Sequence, residues 1–137
     1  MSFRHWTGKD LLEANVALGK RGRQLFDAPF ALLSHDTSPD PILNYANRTA
    51  LGLFGLGWDE LVVMPSRLTA QILEQAERTR LLARVSAQGF IDDYRGVRIT
   101  KGGRRFLIQR ATVWNLLDET GGHYGQAATF SEWHFLD

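Results

Sequence analysis

Residues 89–135 read GFIDDYRGVRITKGGRRFLIQRATVWNLLDETGGHYGQAATFSEWHF, and their spacing decides the fold. After Gly89 the apolar side chains recur every second residue, the period of a half-buried strand. Phe90 to Thr100 reads as one strand and Arg104 to Leu117 as a longer one. Tyr124 to Phe135 reads as the last. Lys101-Gly102-Gly103 and Asp118-Glu119-Thr120-Gly121-Gly122 supply the turn chemistry between them. Three long antiparallel strands joined by tight glycine-containing turns make a meander.

Upstream the period lengthens. Leu11, Leu12, Val16, Leu18 and Leu25 recur at three- and four-residue steps, which predicts a helix over residues 7–25 that ends at Asp27-Ala28-Pro29. Phe30–Ser34 and Ile42–Ala46 are short strands around the turn 35–41, a first hairpin. Asn47 is an N-cap for a helix over Arg48–Phe54, and Gly55 and Gly57 stop it. Trp58–Val63 is a further helical turn. Thr69–Gln88 is the longest helix after the first hairpin, stopped by Gly89. The order predicts an α+β domain: a five-stranded antiparallel sheet, short helices and one longer helix on one face, and an N-terminal helix.

The chain has 137 residues, 44% of them hydrophobic, which suits one domain with a sizeable core. Sixteen basic against fifteen acidic residues leave a net charge of +1, so no general field draws the chain to nucleic acid. The absence of cysteine excludes disulfides, thiolate zinc sites, iron–sulfur clusters and cysteine nucleophiles. No apolar run approaches the roughly 20 residues that span a bilayer. Met1–Trp6 has no apolar signal core behind it, so a cytoplasmic protein without membrane association is expected.

Certain words in the chain resemble a known family. Ile42-Leu43-Asn44-Tyr45-Ala46-Asn47-Arg48-Thr49-Ala50, Leu53-Phe54-Gly55 and Trp58-Asp59-Glu60-Leu61 resemble the entry segment of PAS domains, where a strand runs through an asparagine cap into a helix ending in Phe-Gly. Gly89–Ile99, Gly103-Arg104-Arg105-Phe106, Val113-Trp114-Asn115-Leu116 and Gly125–Phe130 are similar to the MEKHLA domain, a PAS-related family. The resemblance covers roughly residues 25–136. It implies a PAS-like domain over 27–137 behind a helical extension over 1–26. It also implies a pocket between sheet and helices, and a homodimer formed by the N-terminal helix and the outer sheet face. It names no ligand, because one fold hosts many functions.

That comparison sets the candidate chemistries. Ser66 stands where the flavin light sensors of the PAS class carry their photoactive cysteine, and a hydroxyl does not form the thiol adduct. Cysteine-adduct flavin photochemistry is therefore disfavoured. Haem is disfavoured too, because residues 69–88 contain no histidine to ligate iron. His5, His35, His123 and His134 have no metal-ligand spacing. The basic residues Arg95, Arg98, Lys101, Arg104, Arg105 and Arg110 read either as a patch for an anionic partner or, as favoured by Asp92, Asp93, Asp118 and Glu119 among them, as a solvated hairpin face; nucleic acid is not an expected partner. Glu74–Arg78 and Glu77–Arg80 read as ordinary surface pairs on a helix. Gly52–Gly57 does not follow a phosphate-loop pattern. No carboxylate pair stands out as acid and base, and the chain is not expected to be an enzyme.

The pocket is the remaining candidate. Alternation separates Gln109, Ala111, Val113 and Asn115 from Ile108, Thr112 and Trp114. By the resemblance, the first set faces the helices. The expected pocket residues are Asn44, Tyr45, Phe54, Trp58, Arg67, Gln109, Ala111, Val113, Asn115 and Ala127. The expected dimer surface is Leu11, Leu18, Ile108, Thr112 and Trp114. Two functions fit: a sensory domain that binds a small molecule and signals through a dimer or partner protein, and a dimerisation or interaction module with a closed core.

Overall fold

The computed structural model describes residues 21–70, 72–118 and 120–136, with the side chains of Arg21 and residues 72–74 outside that description. The predicted helix over 7–25 therefore lies mostly outside it, as do Leu11 and Leu18. Its described end is α1, Arg21–Asp27. There follow β1 (Ala31–His35), β2 (Leu43–Ala46), α2 (Arg48–Phe54), α3 (Trp58–Leu61), a 3-10 turn (Ser66–Thr69) and α4 (Ile72–Gln88). The chain ends on β3 (Phe90–Ile99), β4 (Arg105–Leu117), β5 (His123–Phe130) and β6 (Glu132–Phe135).

The strands form one antiparallel sheet in the order β2-β1-β5-β4-β3, with β6 also paired to β4. The last predicted strand is thus two. It breaks at Ser131 and resumes as β6 in the register β5 has against β4, since Thr112 faces Thr129 and Gln109 faces Glu132.

Asn47 fixes the entry into α2. It is fully buried, and its Oδ1 accepts from Ala50 N (3.0 Å) as the helix cap and from Leu32 N (3.1 Å) in β1. Its Nδ2 donates to Leu25 O (2.9 Å) and Phe30 O (2.8 Å). One amide thus ties α1, β1 and α2 together. Gly55 closes the helix in the left-handed region (φ 74°), donating to Leu51 O at 2.9 Å, where a side chain would be strained.

The main core lies between the inner sheet face and the helices. Phe106, fully buried, packs edge-to-face on Phe54 of α2 (5.2 Å) and Phe135 of β6 (5.8 Å). Leu81 and Val85 of α4 join it. A second cluster of Leu32, Trp114 and Ala127 sits on the other sheet face, with Leu25, Phe30, Tyr45, Phe90 and Leu116 packed against it.

Strict alternation fails in the middle of β4. Phe106 and Ile108 face inward, and so do Ala111 and Val113. Tyr94 pairs with Ala111 but Gly96 with Ile108, so β4 carries one extra residue there. Arg110 absorbs it with φ 54°, a value residues other than glycine seldom adopt. Nearer the start of β3 the shift runs the other way. Ile91 pairs with Val113 and Tyr94 with Ala111, which leaves exposed Asp92 and Asp93 as the bulge.

Candidate functional site

A cavity of about 70 Å³ lies between α4 and the inner sheet face. Leu33, Leu43, Phe54, Ile108, Val113 and Phe130 make its walls largely apolar. Its polar side comes from four places: His35 in β1, Ser66 and Thr69 in the 3-10 turn, Arg78 in α4, and Tyr94 with Arg98 in β3. Gln126 of β5 also lines it.

Two of these groups are buried cations. Arg78 is 7% exposed and Arg98 8%. Arg78 Nη2 donates to the Ser66 hydroxyl. Burial first, and the positive charge of Arg98 next, push the Arg78 guanidinium down to about 10. Arg98 donates to Val97 O (2.8 Å) and to the Tyr94 hydroxyl (3.1 Å), and its guanidinium lies 5.5 Å from the centre of the Tyr94 ring. The Tyr94 hydroxyl in turn donates to Glu77 Oε2 at 2.8 Å. Burial raises the Tyr94 phenol above its ordinary value, so it stays a donor. Gly96 makes this possible: a Cβ there would overlap the Tyr94 hydroxyl and ring.

His35 is buried, and that burial lowers its pKa, with Arg78 opposing protonation as well. Its Nδ1 donates to Asp36 O at 2.8 Å, because a carbonyl can only accept. Nε2 is then an acceptor, buried and without a hydrogen-bond partner among the described residues. Beyond the cavity, Asn115 Nδ2 donates to Val85 O (3.1 Å) of α4, and Gln126 Nε2 donates to Asn115 Oδ1 (3.0 Å), Ser86 Oγ (3.0 Å) and Leu82 O (3.2 Å). This amide pair clamps α4 onto the sheet.

The residues singled out in the sequence divide. Phe54, Ala111 and Val113 line the cavity; Ala127 borders it from β5, but its register places it beside Trp114 on the other sheet face. Asn115 is buried next to it, in the clamp. Asn44 is exposed and accepts from Ser34 Oγ at 2.6 Å. Tyr45 and Trp58 pack edge-to-face at 5.9 Å away from it, and Arg67 pairs with Asp40 at the surface. Gln109 pairs with Glu132 of β6 outside the cavity, and Ile108 takes the inward place, because the extra residue at Arg110 reverses the alternation. Ile108 is therefore a cavity wall instead of an outer surface. Trp114 is on the outer face as expected, but it is 2% exposed within this chain, among Leu32 and Ala127. Thr112, half-buried, faces Thr129 on that side.

Sequence reasoning missed Arg78, Arg98, Tyr94, His35, Ser66, Thr69 and Gln126. A signal existed for two of them. Arg78 shares a helical stripe with buried Leu81 and Val85, and Arg98 shares a strand face with Tyr94. Glu77, read as a surface partner of Arg80, takes the Tyr94 hydroxyl.

A wider groove of about 700 Å³ between α4 and β3 is lined by exposed charges, including Arg80, Arg84, Asp92, Asp93 and Arg95. Among the described residues, no helix is long and apolar enough to cross a membrane, and no three His, Asp or Glu side chains are grouped to hold a metal ion.

The fold has solved counterparts. The chain is similar to the PAS domain of a protein from Colwellia psychrerythraea, with a TM-score of 0.71 at 16% identity, covering 82% of this chain and 92% of that one. It is similar to an RNA-binding Light-Oxygen-Voltage receptor, also with a TM-score of 0.71, at 19% identity over 88% of this chain and 34% of the receptor. The Aureochrome1 LOV domain, a blue-light photoreceptor, gives a TM-score of 0.63 at 18% identity over 90% and 88%. Among curated proteins it resembles two homeobox-leucine zipper proteins of Arabidopsis thaliana. ATHB-9 is 26% identical over 83% of this chain, and ATHB-14 is 26% identical over 98%. The chain spans only 14% and 16% of their lengths. A family model described as the MEKHLA domain matches residues 1–135. The chain belongs to the MEKHLA domain family and carries it on a PAS-like fold.

Proposed function

We propose that this chain is a non-catalytic sensory domain. It takes a small molecule into the cavity between α4 and the sheet, and passes occupancy on through a second copy or a partner protein. The cavity carries the reading: apolar walls with a few convergent polar groups are the usual form of a small-molecule site. Membership of a PAS-related family supports a sensory role. Exposed Trp58, Val63 and Leu68, all within the short segment 58–68, are apolar surface that a partner can cover.

The chemistry at the cavity favours binding over catalysis. Its ionisable groups are two guanidiniums, a phenol held protonated and an imidazole held neutral. The Ser66 hydroxyl accepts from a cation and has no base beside it among its described partners.

The LOV relatives raise flavin. The residues here do not fit it. The chain has no cysteine for an adduct, and drug-sized ligands need roughly 300–1,000 Å³ where this cavity offers about 70 Å³. The same volume argues against haem. A ligand of a few heavy atoms fits without repacking.

Native mass spectrometry of the full chain, with a melting-temperature screen across small metabolites, tests the reading. A retained small molecule or a saturable rise in melting temperature is expected. No adduct and no shift across the library would refute it in favour of a closed interaction module.

A further inference from the structure

We propose that this cavity is a site for a short-chain organic carboxylate, its carboxylate held by Arg78 and Arg98 and its hydrocarbon end by the apolar walls. The inference rests on the ligand-binding reading above and names the ligand class.

The argument begins with charge. Arg78 comes from α4 and Arg98 from β3, so two cations reach one cavity from its helical and sheet walls. Both are more than nine-tenths buried. The described ion pairs are Arg48–Asp27, Arg67–Asp40, Lys101–Glu60 and Arg110–Glu132, and neither buried arginine is in them. The acid joined to them by hydrogen bonds is Glu77, which accepts from Tyr94, which accepts in turn from Arg98. Glu77 reaches them through a phenol, and Asp40, already paired with Arg67, acts on Arg78 by its charge without an ion pair. Buried charges ordinarily have counter-charges, because an unpaired one forfeits its hydration without return. One bound monoanion balances the remainder. Arg78 in particular spends one described hydrogen bond, to Ser66, and has donors left over.

Shape and polarity narrow the anion. The planar fork of a guanidinium matches a carboxylate or a phosphate. The other walls decide between them. Leu33, Leu43, Phe54, Ile108, Val113 and Phe130 would strip water from a phosphate and return no donors, but they suit an alkyl chain. A volume of about 70 Å³ holds roughly five to seven waters at 10–15 Å³ each, the room of an acid of two to four carbons.

The test uses the full chain at fixed pH and ionic strength, with sodium propionate, sodium butyrate, propionamide and inorganic phosphate as probes. Melting temperature and calorimetric titration are the readouts. Propionate or butyrate is expected to raise the melting temperature by about 4 °C at tenfold excess over its Kd. Propionamide and phosphate at equal concentration leave it unchanged. Arg78→Met removes a buried cation at similar volume and is expected to weaken carboxylate binding at least tenfold, with no loss of stability in the unliganded protein. Arg98→Met is the second variant, should the first fail to fold. Silence to both carboxylates overturns the inference, as does an equal response to phosphate, or binding undiminished in the arginine variants. A response to propionamide equal to that of propionate overturns the anion but leaves the ligand-binding reading standing. Silence to every probe and to the metabolite library removes both.

Discussion

Replacing Asn47 separates what this residue does as a helix cap from what it does as a cross-brace. Its amide makes four hydrogen bonds, two accepted and two donated, and the side chain is fully buried. Asn47→Ala leaves the N–H groups of Leu32 and Ala50 and the carbonyls of Leu25 and Phe30 to find other partners. Loss of a cap costs about 1 kcal/mol, and each further buried hydrogen bond about 1 kcal/mol more. The sum is about 4 kcal/mol, at the upper end for one substitution. At roughly 3 °C per kcal/mol for a domain of this size, the melting temperature should fall by about 12 °C. Asn47→Asp is the sharper variant. Aspartate caps helices as well as asparagine does, so a cap alone predicts near-neutrality. Here its second oxygen would face the carbonyls of Leu25 and Phe30 with no proton to offer. The expected loss at pH 7 is at least that of alanine. Urea denaturation followed by tryptophan fluorescence measures both. An Asn47→Asp protein within about 1 kcal/mol of the parent would refute the cross-brace and leave only the cap.

Other expectations can be checked with the same assay. Gly96→Ala should cost about 2–3 kcal/mol, because the new methyl displaces Tyr94 and breaks its bonds to Glu77 and Arg98; an unchanged urea midpoint would contradict the close approach. His35, whose folded pKa lies below 6.5, binds its proton more readily when unfolded. Stability should therefore fall as pH drops below about 6.5, and His35→Gln should flatten that slope, which a urea midpoint series from pH 7.5 to 5.5 would show or fail to show. Arg110→Gly should stabilise by about 0.5–1 kcal/mol and Arg110→Val should destabilise, since only glycine takes φ 54° freely; the exposed Arg110–Glu132 pair at 3.6 Å contributes too little to reverse the order. Asn115→Leu should cost about 2 kcal/mol by releasing α4 from the sheet, with faster amide exchange over Leu82–Ser86 as its signature.

The parts of the fold that were readable in sequence are those with local causes. Asn47 before Arg48, and Gly55 after Phe54, bound α2 as expected, because cap chemistry is written within a few residues. The meander followed from strand period and turn residues. The cavity was less readable because its chemistry depends on distant pairing. Gln109 and Ile108 exchanged roles when one residue, Arg110, took a left-handed conformation that no pattern of hydrophobicity records. Arg78 and Arg98 looked like surface charge, since arginine usually is; their burial arises only when α4 settles over β3. Asn115 was expected to point inward and does, but its partner Gln126 comes from another strand.

The kink in β4 has a counterpart. Arg110 lies level with Ser131, where β5 gives way to β6, and inward positions resume together on both sides: Ile108 beside Trp133, Phe106 beside Phe135. The two strands step over at the same height, so neither slips against the other. For the family's history this means that a residue lost or gained at Arg110 changes the reading frame between neighbouring strands unless Ser131 changes with it. Related sequences should then show gaps at these two places together or at neither, and a loop graft or circular permutation that cuts between them would have to carry both.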